Sequence, residues 1–362
     1  MRKIRPFNWS RRLVQLAEQA AALPDEGNLS LVEHQLADMV ARVVMRGSDQ
    51  PLHQAIAQLD RMHHHEAAGL VEFWADEAAT EVGVVIDAAA KTSGVATAFL
   101  IPLVLVTEEP HAIPLTVSTD VTLNRIAKSL RDHHLVGSNA SVIVFPGLYR
   151  EEDLPQSWAL RRQWLEKTVA NVVEHASQTP QPEFAPPLLT CGGMGVTLRF
   201  LAGVVAVADD DMDQGLMIMG YNPDEGSSVM EAIPDTLEQH ISAWREDFIA
   251  ALAPVMKMTS VIAGLPELWA NALEFGLTLV NHVALDTLVR ALLDQDGLEG
   301  RDALASIQWR DDENSWSIAL QAESYASGPF QWICTLDPHE ELAQIMENLR
   351  DWGIGRMAID ER

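Results

Sequence analysis

Apolar residues in the first eighty positions recur at intervals of three and four, the spacing of amphipathic helices. The first predicted helix opens at Ser10, an expected N-cap, and ends before Pro24. The second opens at Ser30 and ends at Gly47, an expected C-cap, and the third covers about Gln50 to Arg61. A fourth helix follows, so the pattern predicts an N-terminal module of two helical hairpins.

From Glu81 onward the apolar pattern becomes that of β-strands. The segments "EVGVVIDAAA" and "VATAFLIPLVLV" flank "KTSG" and predict a hairpin. A helix is expected from about Asp120 to His134, followed by the strand "SVIVF" and a long helix from Pro155 to about Ser177. The predicted order is therefore two strands, a helix, a strand and a closing helix.

The same order returns later in the chain. The segments "VTLRFLAGVVAVA" and "GLMIMGY" flank "DDDMDQ", and a helix from Asp235 to about Leu252, the strand "SVIAG" and a helix from Pro266 to about Asp294 follow. A shorter version ends the chain, with strands "ASIQWR", "SWSIALQAES" and "FQWICTL", a helix from Pro338 to Trp352 and the strand "GRMAID".

Two of these units share a repeated phrase. "SVIVFPGLYREEDLPQSW" starts at Ser141 and "SVIAGLPELW" starts at Ser260, and each reads Ser-Val-Ile, Gly-Leu, then Leu-Pro before a tryptophan. The phrase marks the last strand of a ββαβ unit and the entry into its exit helix. Because such a unit leaves a sheet face and an edge unburied, the units are expected to pair or stack, with the exit helices between them. The predicted fold class is α+β, with duplicated ββαβ units after the helical module.

Four domains follow from this pattern: a helical module over 1–80, a first unit over 81–178, a second over 188–296 and a shorter β-rich unit over 301–362. The Pro-rich stretch "QTPQPEFAPP" is the clearest linker, because it can neither continue a helix nor enter a sheet interior. A softer boundary lies in "DGLEG", near Gly297 to Gly300.

The net charge of the chain indicates which classes of partner are disfavoured. A formal net charge of −27 disfavours direct binding to nucleic acid or to an anionic membrane. The opening "MRKIRPFNWSRR" has five basic residues and no acid, which leaves 20 basic against 52 acidic residues in the rest, a net of −32. The acidic surface is interpreted as a solubilising one, or as a face that docks a basic partner or the basic arm of a sister subunit.

The location predicted for the protein is the cytoplasm. No signal-peptide apolar stretch follows the basic N-terminus, and the longest apolar run, Ala98 to Val106, is half a membrane span and is interrupted by Pro102. Two cysteines, Cys191 and Cys334, cannot make a disulfide scaffold, which suits a reducing compartment.

The Gly-rich loop "TCGGMG", Thr190 to Gly195, is the first candidate for chemistry. A phosphate cradle needs such glycines between a strand and a helix N-terminus, but the segment that follows is predicted as a strand, so a simple turn is favoured. Cys191 could be a nucleophile facing backbone amides, but no histidine lies near it in sequence, and a structural thiol is favoured.

Two further candidates are metal sites. "DDDMDQG" alternates Asp209, Asp211 and Asp213, but it lacks the glycine and the glutamate that a calcium loop needs, so the acids are interpreted as a solvated hairpin tip. Adjacent histidines chelate one ion poorly on a helix, so the clusters His63–His65 and His133–His134 are interpreted as surface groups.

The last strands carry Trp309, Trp316 and Trp332 in alternation. This row is interpreted either as a face covered by the terminal helix or as a surface for a partner. The common nucleophile, zinc, dithiol and nucleotide motifs are missing from the sequence. No residue is therefore assigned a catalytic, cofactor-binding or metal-binding role, and no cofactor is expected.

The layout resembles a family of uncharacterised conserved bacterial proteins, a domain-of-unknown-function family. The resemblance rests on "RRLVQLAEQAA", "IPLVLV" with "IPLTVS", "EDLPQSW" and "LRFLAGVVAV". It implies a bacterial cytoplasmic protein and supplies no activity and no site residues.

The leading functional hypothesis is a non-catalytic cytoplasmic interaction, adaptor or regulatory protein that self-associates. The alternative is an enzyme or small-molecule binder with a cleft between the duplicated units, near Gly192–Gly195. A third hypothesis is an acidic mimic that occupies a nucleic-acid-binding protein. The sequence does not decide whether the protein is an enzyme.

Overall fold

A computed structural model shows a mixed α+β protein, as predicted: a helical N-terminal module is followed by sheets and covering helices. The structure describes residues 8–23, 30–87, 92–107, 113–114, 120–137, 140–174, 184–185, 189–191, 194–208, 235–253, 259–266, 268–296, 303–310, 315–322, 325–326, 330–332 and 338–360. Over these ranges, no helix combines the length and the apolar character that crossing a membrane would require.

The N-terminal module consists of four helices, α1 (Trp9–Ala21), α2 (Leu31–Val44), α3 (Gln50–Arg61) and α4 (His65–Thr80). Their apolar faces form one cluster that includes Leu16, Val40, Leu59 and Val71, all nearly inaccessible to solvent. Burial of these stripes, each spaced at helical periodicity, explains why four short helices hold together.

The caps of the first two helices differ in how well the sequence predicted them. Ser30 was predicted correctly: its hydroxyl accepts from the Glu33 amide, and the Glu33 carboxylate accepts from the Ser30 amide. Ser10 was wrong. Asn8 is the N-cap of α1, and its side-chain oxygen accepts from the Arg11 amide at 3.0 Å and from the Ser10 hydroxyl at 2.9 Å.

The central sheet is built on two long antiparallel strands, β2 (Thr92–Thr107) and β7 (Met194–Ala208). Shorter strands lie between them in the chain: β3 (Ile113–Pro114), β4 (Ser141–Tyr149), β5 (Phe184–Ala185) and β6 (Leu189–Cys191). β2 and β7 pair over 14 positions, from Gly94 with Ala208 to Thr107 with Gly195. On its other side β2 pairs with β1 (Glu81–Asp87) and with β8 (Thr259–Ala263), while β7 pairs with β4 and β6. β3 pairs only with β5, in a separate two-stranded sheet.

Helices cover both faces of this sheet. Odd-numbered residues of the long strands, such as Phe99 and Leu201, pack against α5 (Asp120–Asp132) and α7 (Asp235–Leu252). Even-numbered residues, such as Leu100 and Phe200, pack against α6 (Trp158–Glu174) and α8 (Trp269–Asp296). A strand buried on both faces has no polar alternation, which is why β2 and β7 read as continuous apolar runs.

The two halves of the chain contribute matching elements to this one sheet. The strand that carries "SVIVF", β4, pairs with β7, and the strand that carries "SVIA", β8, pairs with β2, so each half adds an edge strand to the long strand of the other. The exit helices α6 and α8 lie on the same face of the shared sheet rather than between two sheets. Internal duplication would produce this arrangement and stays a prediction, as do the four domain ranges.

The exit helices begin later than predicted. Both were expected at the proline of the Leu-Pro pair, but α6 begins at Trp158, three residues after Pro155, and α8 begins at Trp269, three residues after Pro266. Before α6, residues Glu151–Asp153 form a short 3₁₀ turn. The Ser157 hydroxyl accepts from the Leu160 amide, so Ser157 caps α6.

The C-terminal part forms a second sheet from β9 (Ala303–Arg310), β10 (Ser315–Ala322), β11 (Tyr325–Ala326), β12 (Phe330–Trp332) and β13 (Arg356–Asp360). The strand order in this sheet is β11–β10–β9–β13, and β12 also pairs with β10. β13 runs parallel to β9, whereas the other pairs are antiparallel. Helix α9 (Pro338–Asp351) covers one face together with Leu285 and Val289 from the end of α8.

The three tryptophans of the predicted row lie in register on neighbouring strands, since Trp309 and Trp332 are both paired with Trp316. Trp309 packs against the cluster that α9 covers, which agrees with the covered-face interpretation for that residue. The second predicted strand of the middle unit, "GLMIMGY", lies outside the described residues.

Gly203 allows β7 to approach its neighbours closely. A Cβ at this position would lie 2.3 Å from Phe99 Cζ and 2.8 Å from the Ile143 carbonyl oxygen. We therefore expect Gly203→Ala to lower the free energy of unfolding by about 2–3 kcal/mol through overpacking. Urea denaturation measures this, and Gly69→Ala is the control, because nothing lies within 4 Å of that Cβ. In the exposed middle of α4 that substitution should add about 0.5–1 kcal/mol.

Candidate functional site

The junction of the helical module and the central sheet is held by α6. Helix α4 continues into β1 without a loop, since Thr80 ends the helix and Glu81 begins the strand. The Asp76 carboxylate on α4 accepts from Trp158 Nε1 at 2.8 Å and from Arg161 Nη1 at 2.7 Å. Arg162 Nη1 donates to the backbone carbonyls of Ala78 and Glu81, which are the orphan acceptors of a helix end.

A second contact ties α6 to the start of α3. Asp49 Oδ1 accepts from the Ala159 amide at 3.0 Å, and the side chain is only 8 % exposed. The ring of His53 lies 5.1 Å from the ring of Trp158. These contacts, together with those of Asp76 and Arg162, fix the position of the helical module on the sheet.

An open groove of about 310 Å³ lies along this junction. Its lining comes from the middle of α2, the last turn of α4, β1 and one residue of β2. Small residues form much of the lining, and every charged lining residue is acidic. The lining residues are Ala37, Asp38, Ala41, Trp74, Glu77, Ala78, Glu81, Val82, Gly83 and Val95. We call this feature the acidic groove.

Two of its carboxyl groups are held against their ionised form. Burial, and to a smaller extent the neighbouring carboxylate of Glu81, raise the pKa of Glu77 to about 7. Burial also raises the pKa of Glu81, although the Thr97 hydroxyl and the Arg162 guanidinium oppose the shift. Asp38 is exposed and pairs loosely with Arg42 at 3.5 Å. Ionising these two buried carboxyl groups therefore costs desolvation free energy, and a cation bound in the groove would offset that cost.

A cationic side chain with an apolar stem fits this lining. Lysine and arginine can lay their methylene groups along small apolar residues while the charged head reaches a carboxylate. Ala37, Ala41 and Ala78 supply such a surface next to Glu77 and Glu81. A larger depression of about 620 Å³ lies along α3, but the residues that line it include no carboxylate.

The Gly-rich loop predicted as a turn joins two strands. Thr190 pairs with Gly195 and Cys191 with Met194, so β6 and β7 form a hairpin around positions 192–193, which lie outside the described residues. A strand-to-helix phosphate cradle does not fit this topology. The alternative of a cleft between the two halves near Gly192–Gly195 stays a prediction.

The histidine clusters are dispersed among separate partners. His64 Nδ1 lies 3.0 Å from Glu18, His65 Nδ1 lies 3.5 Å from Asp60, and His133 Nε2 lies 2.9 Å from Asp247. Within the described ranges no group of three or more potential ligands could hold a metal ion. The acidic loop Asp209–Asp213 lies outside those ranges.

The sequence reasoning missed the acidic groove. Glu77 and Glu81 are four residues apart, a spacing that places two acids on one side of a helix end. That signal was available, but Asp38 comes from a different helix and β1 from the sheet, so their meeting with Glu77 depends on tertiary contacts.

The raised pKa of Glu77 makes stability depend on pH. The folded protein keeps a proton on Glu77 that the unfolded chain releases at its ordinary pKa, so stability is lost as pH rises from about 4.5 to about 7. Glu77→Gln removes this loss. Allowing for solvent screening, we expect its advantage over the native chain to grow by about 1–2 kcal/mol between pH 5 and pH 8.

Urea denaturation at pH 5, 6, 7 and 8 measures this difference. Glu66→Gln removes one charge from the exposed first turn of the same helix and is the matched control. An advantage of Glu77→Gln that stays constant across these pH values would show that Glu77 is not held in its protonated form.

The comparisons with known proteins bear on the family of the chain. Neither the curated proteins nor the solved structures contain a match to it. A family described as "Protein of unknown function (DUF2863)" matches residues 2–286, which span the helical module, the central sheet and the first part of α8. The second sheet lies beyond this match. Since the match covers well over half of the sequence, the chain belongs to the DUF2863 family.

Proposed function

We propose that this chain is a non-catalytic cytoplasmic interaction protein that self-associates through the acidic groove. The observation that carries the proposal is the composition of the groove: its three charged residues, Asp38, Glu77 and Glu81, are all acidic, and burial opposes the ionisation of two of them. A cation bound there would favour the ionised carboxylates, so the groove suits a basic segment better than a neutral one.

The occupant is the basic N-terminal arm, residues 1–7, of a second copy. This arm carries Arg2, Lys3 and Arg5 in a chain whose remainder is strongly acidic. Seven extended residues span at most about 23–25 Å. Two acidic bodies repel one another, and a cationic arm inserted between carboxylates supplies the opposite charge that association requires.

The position of α1 places the arm within reach of its own groove as well as that of a second copy. The arm joins α1 just before Trp9, and the Arg46 guanidinium lies 4.1 Å from the centre of the Trp9 ring, at the C-terminal end of α2. The groove uses Ala37, Asp38 and Ala41, about one to two and a half turns before Arg46. Docking within one chain is the competing arrangement, and it predicts a mass that does not depend on concentration.

The test is sedimentation velocity of the full-length protein, which measures its association over a range of protein concentrations and salt concentrations. We expect the native chain to self-associate at low salt and to dissociate as screening increases. Asp38→Lys with Glu77→Gln should weaken association about tenfold or more, because a cation is placed in the groove and an acid is removed. Adding Arg2→Glu, Lys3→Glu and Arg5→Glu to that variant should restore part of the affinity.

The matched control is Glu347→Lys with Glu246→Gln, which makes the same net change at exposed positions on α9 and α7. We expect it to leave association nearly unchanged. A monomeric mass for the native chain at every concentration would refute self-association. Equal weakening by the groove pair and the control pair would show that overall charge governs association and that the groove has no part in it.

A further inference from the structure

The outer edge of β7 has a break between its two neighbours. β4 pairs with β7 from Phe200 to Ala206, and β6 pairs with it from Met194 to Val196. Among the described strands, none pairs with residues Thr197–Arg199 on that side. We call this three-residue break the edge notch. The last residue of β4 lies beside Phe200, so Arg150 and the 3₁₀ turn after it lie next to the notch.

The corresponding break on β2 is closed without charge. There β1 pairs up to Thr97 and β8 pairs from Leu103. The carbonyl of Pro102 accepts from the Gly264 amide at 2.8 Å, and a Cβ on Gly264 would lie only 2.5 Å from the Pro102 ring. Proline has no N–H to leave unpaired at a strand edge. The notch on β7 has an arginine where β2 has this apolar contact.

Arg199 is buried in the notch, and three of its five N–H donors have no partner among the described residues. Its side chain is 4 % exposed, and Nη1 donates to the Thr197 hydroxyl at 2.9 Å and to the Leu198 carbonyl at 2.7 Å. Nε and Nη2 are inaccessible to solvent and have no hydrogen-bond partner among the described residues. Buried donors without partners are rare in folded proteins, and a buried guanidinium without a counter-charge is rarer.

The two unused nitrogens belong to one edge of the guanidinium. Nε–H and Nη2–H point the same way and form the fork that holds a carboxylate with two parallel hydrogen bonds. The neighbouring arginine shows this geometry: Arg150 Nε and Nη2 donate to the two oxygens of Asp153 at 2.8 and 2.7 Å. Arg199 presents the same edge with no acceptor.

The nearby charges do not satisfy Arg199. Burial lowers the pKa of the Arg199 guanidinium, as does the charge of Arg150, while Glu152 and Asp153 raise it. Both of these carboxylates are already bound by Arg150, Glu152 at 3.1 Å and Asp153 at 2.7 Å. Arg150 therefore engages both carboxylates, and the Nε and Nη2 edge of Arg199 is left without an acceptor among the described residues.

We propose that the edge notch binds a single carboxylate group of a small organic acid, held by Nε and Nη2 of Arg199. A planar monoanion matches the two parallel donors. A phosphate dianion matches less well, because its extra charge lies close to Glu152 and Asp153. In the segment next to the notch, the side chains of Arg150 and Glu152 are 40 % and 64 % exposed. This inference does not depend on the acidic groove or on self-association.

The test is a titration of the native full-length protein, labelled with ¹⁵N at arginine, with acetate, succinate, inorganic phosphate and chloride at matched ionic strength. The Nε–H resonance of Arg199 is assigned by its loss in Arg199→Lys. We expect acetate and succinate to shift this resonance saturably and phosphate to shift it more weakly. Chloride should leave it in place. Glu152→Gln should tighten acetate binding severalfold, because it removes a repelling carboxylate.

The control is Arg125→Lys, at an exposed position on α5, which should leave acetate binding unchanged. The proposal is overturned if the Arg199 resonance is unmoved at about 100 mM acetate, far above a millimolar Kd. It is also overturned if chloride shifts the resonance as much as acetate, or if phosphate binds at least as tightly. The titration of the native chain does not require any variant to fold.

Discussion

The antiparallel pairing of β2 with β7 is the interaction on which the rest of this structure depends. Fourteen consecutive residue pairs join strands that are about 90 residues apart along the chain. Nearly all of their side chains are apolar on both faces, so the ladder is stable only when helices cover it on each side. α5 and α7 supply one cover and α6 and α8 the other, and each half of the chain contributes to both.

Both candidate sites follow from the length of these two strands. On the outer side of β2 and of β7, none of the described strands is long enough to pair with the whole length, so each outer edge is made of two short strands placed end to end. At the outer edge of β2, β1 extends directly from α4 and brings the helical module against the sheet, which creates the acidic groove. At the outer edge of β7, the break between β4 and β6 leaves Arg199 with an unfilled edge.

The two sites have opposite electrostatics for a physical reason. The acidic groove is open and collects carboxylates from separate elements, and burial is the largest cause of the raised pKa of Glu77 and of Glu81. The edge notch holds a guanidinium, which keeps its charge in proteins even when buried. A basic segment at one site and a carboxylate at the other would each supply the missing counter-charge. We propose a macromolecular partner for the first site and a small anion for the second.

The sequence predicted the elements well where a local signal marks them. The capping box at Ser30 and the change of pattern at Glu81 fall where they were expected, and both exit helices exist. Local signals failed where two neighbouring residues could both cap, as with Asn8 and Ser10. They also failed after prolines, since each exit helix begins at the tryptophan and not at the proline.

The sites could not be predicted in this way, because each needs long-range pairing. Asp38 meets Glu77 only when α2 and α4 pack together, and β1 joins them only through the sheet. A clue to the notch was present in "VTLRFLAGVVAVA", where Arg199 interrupts an apolar run. A charged residue inside a strand that is buried on both faces needs a partner, and local sequence does not identify it.

The most direct measurement of the central claim, that the acidic groove holds the basic arm of a second copy, is a photo-cross-link from the groove floor. A photoreactive side chain placed at Ala41 in a mixture of ¹⁴N- and ¹⁵N-labelled protein can be irradiated and the joined peptides identified by mass spectrometry. We predict cross-links to residues 1–7 that combine the two isotopes, as contact between copies requires. Cross-links within a single isotope only, or none to the arm, would contradict this account.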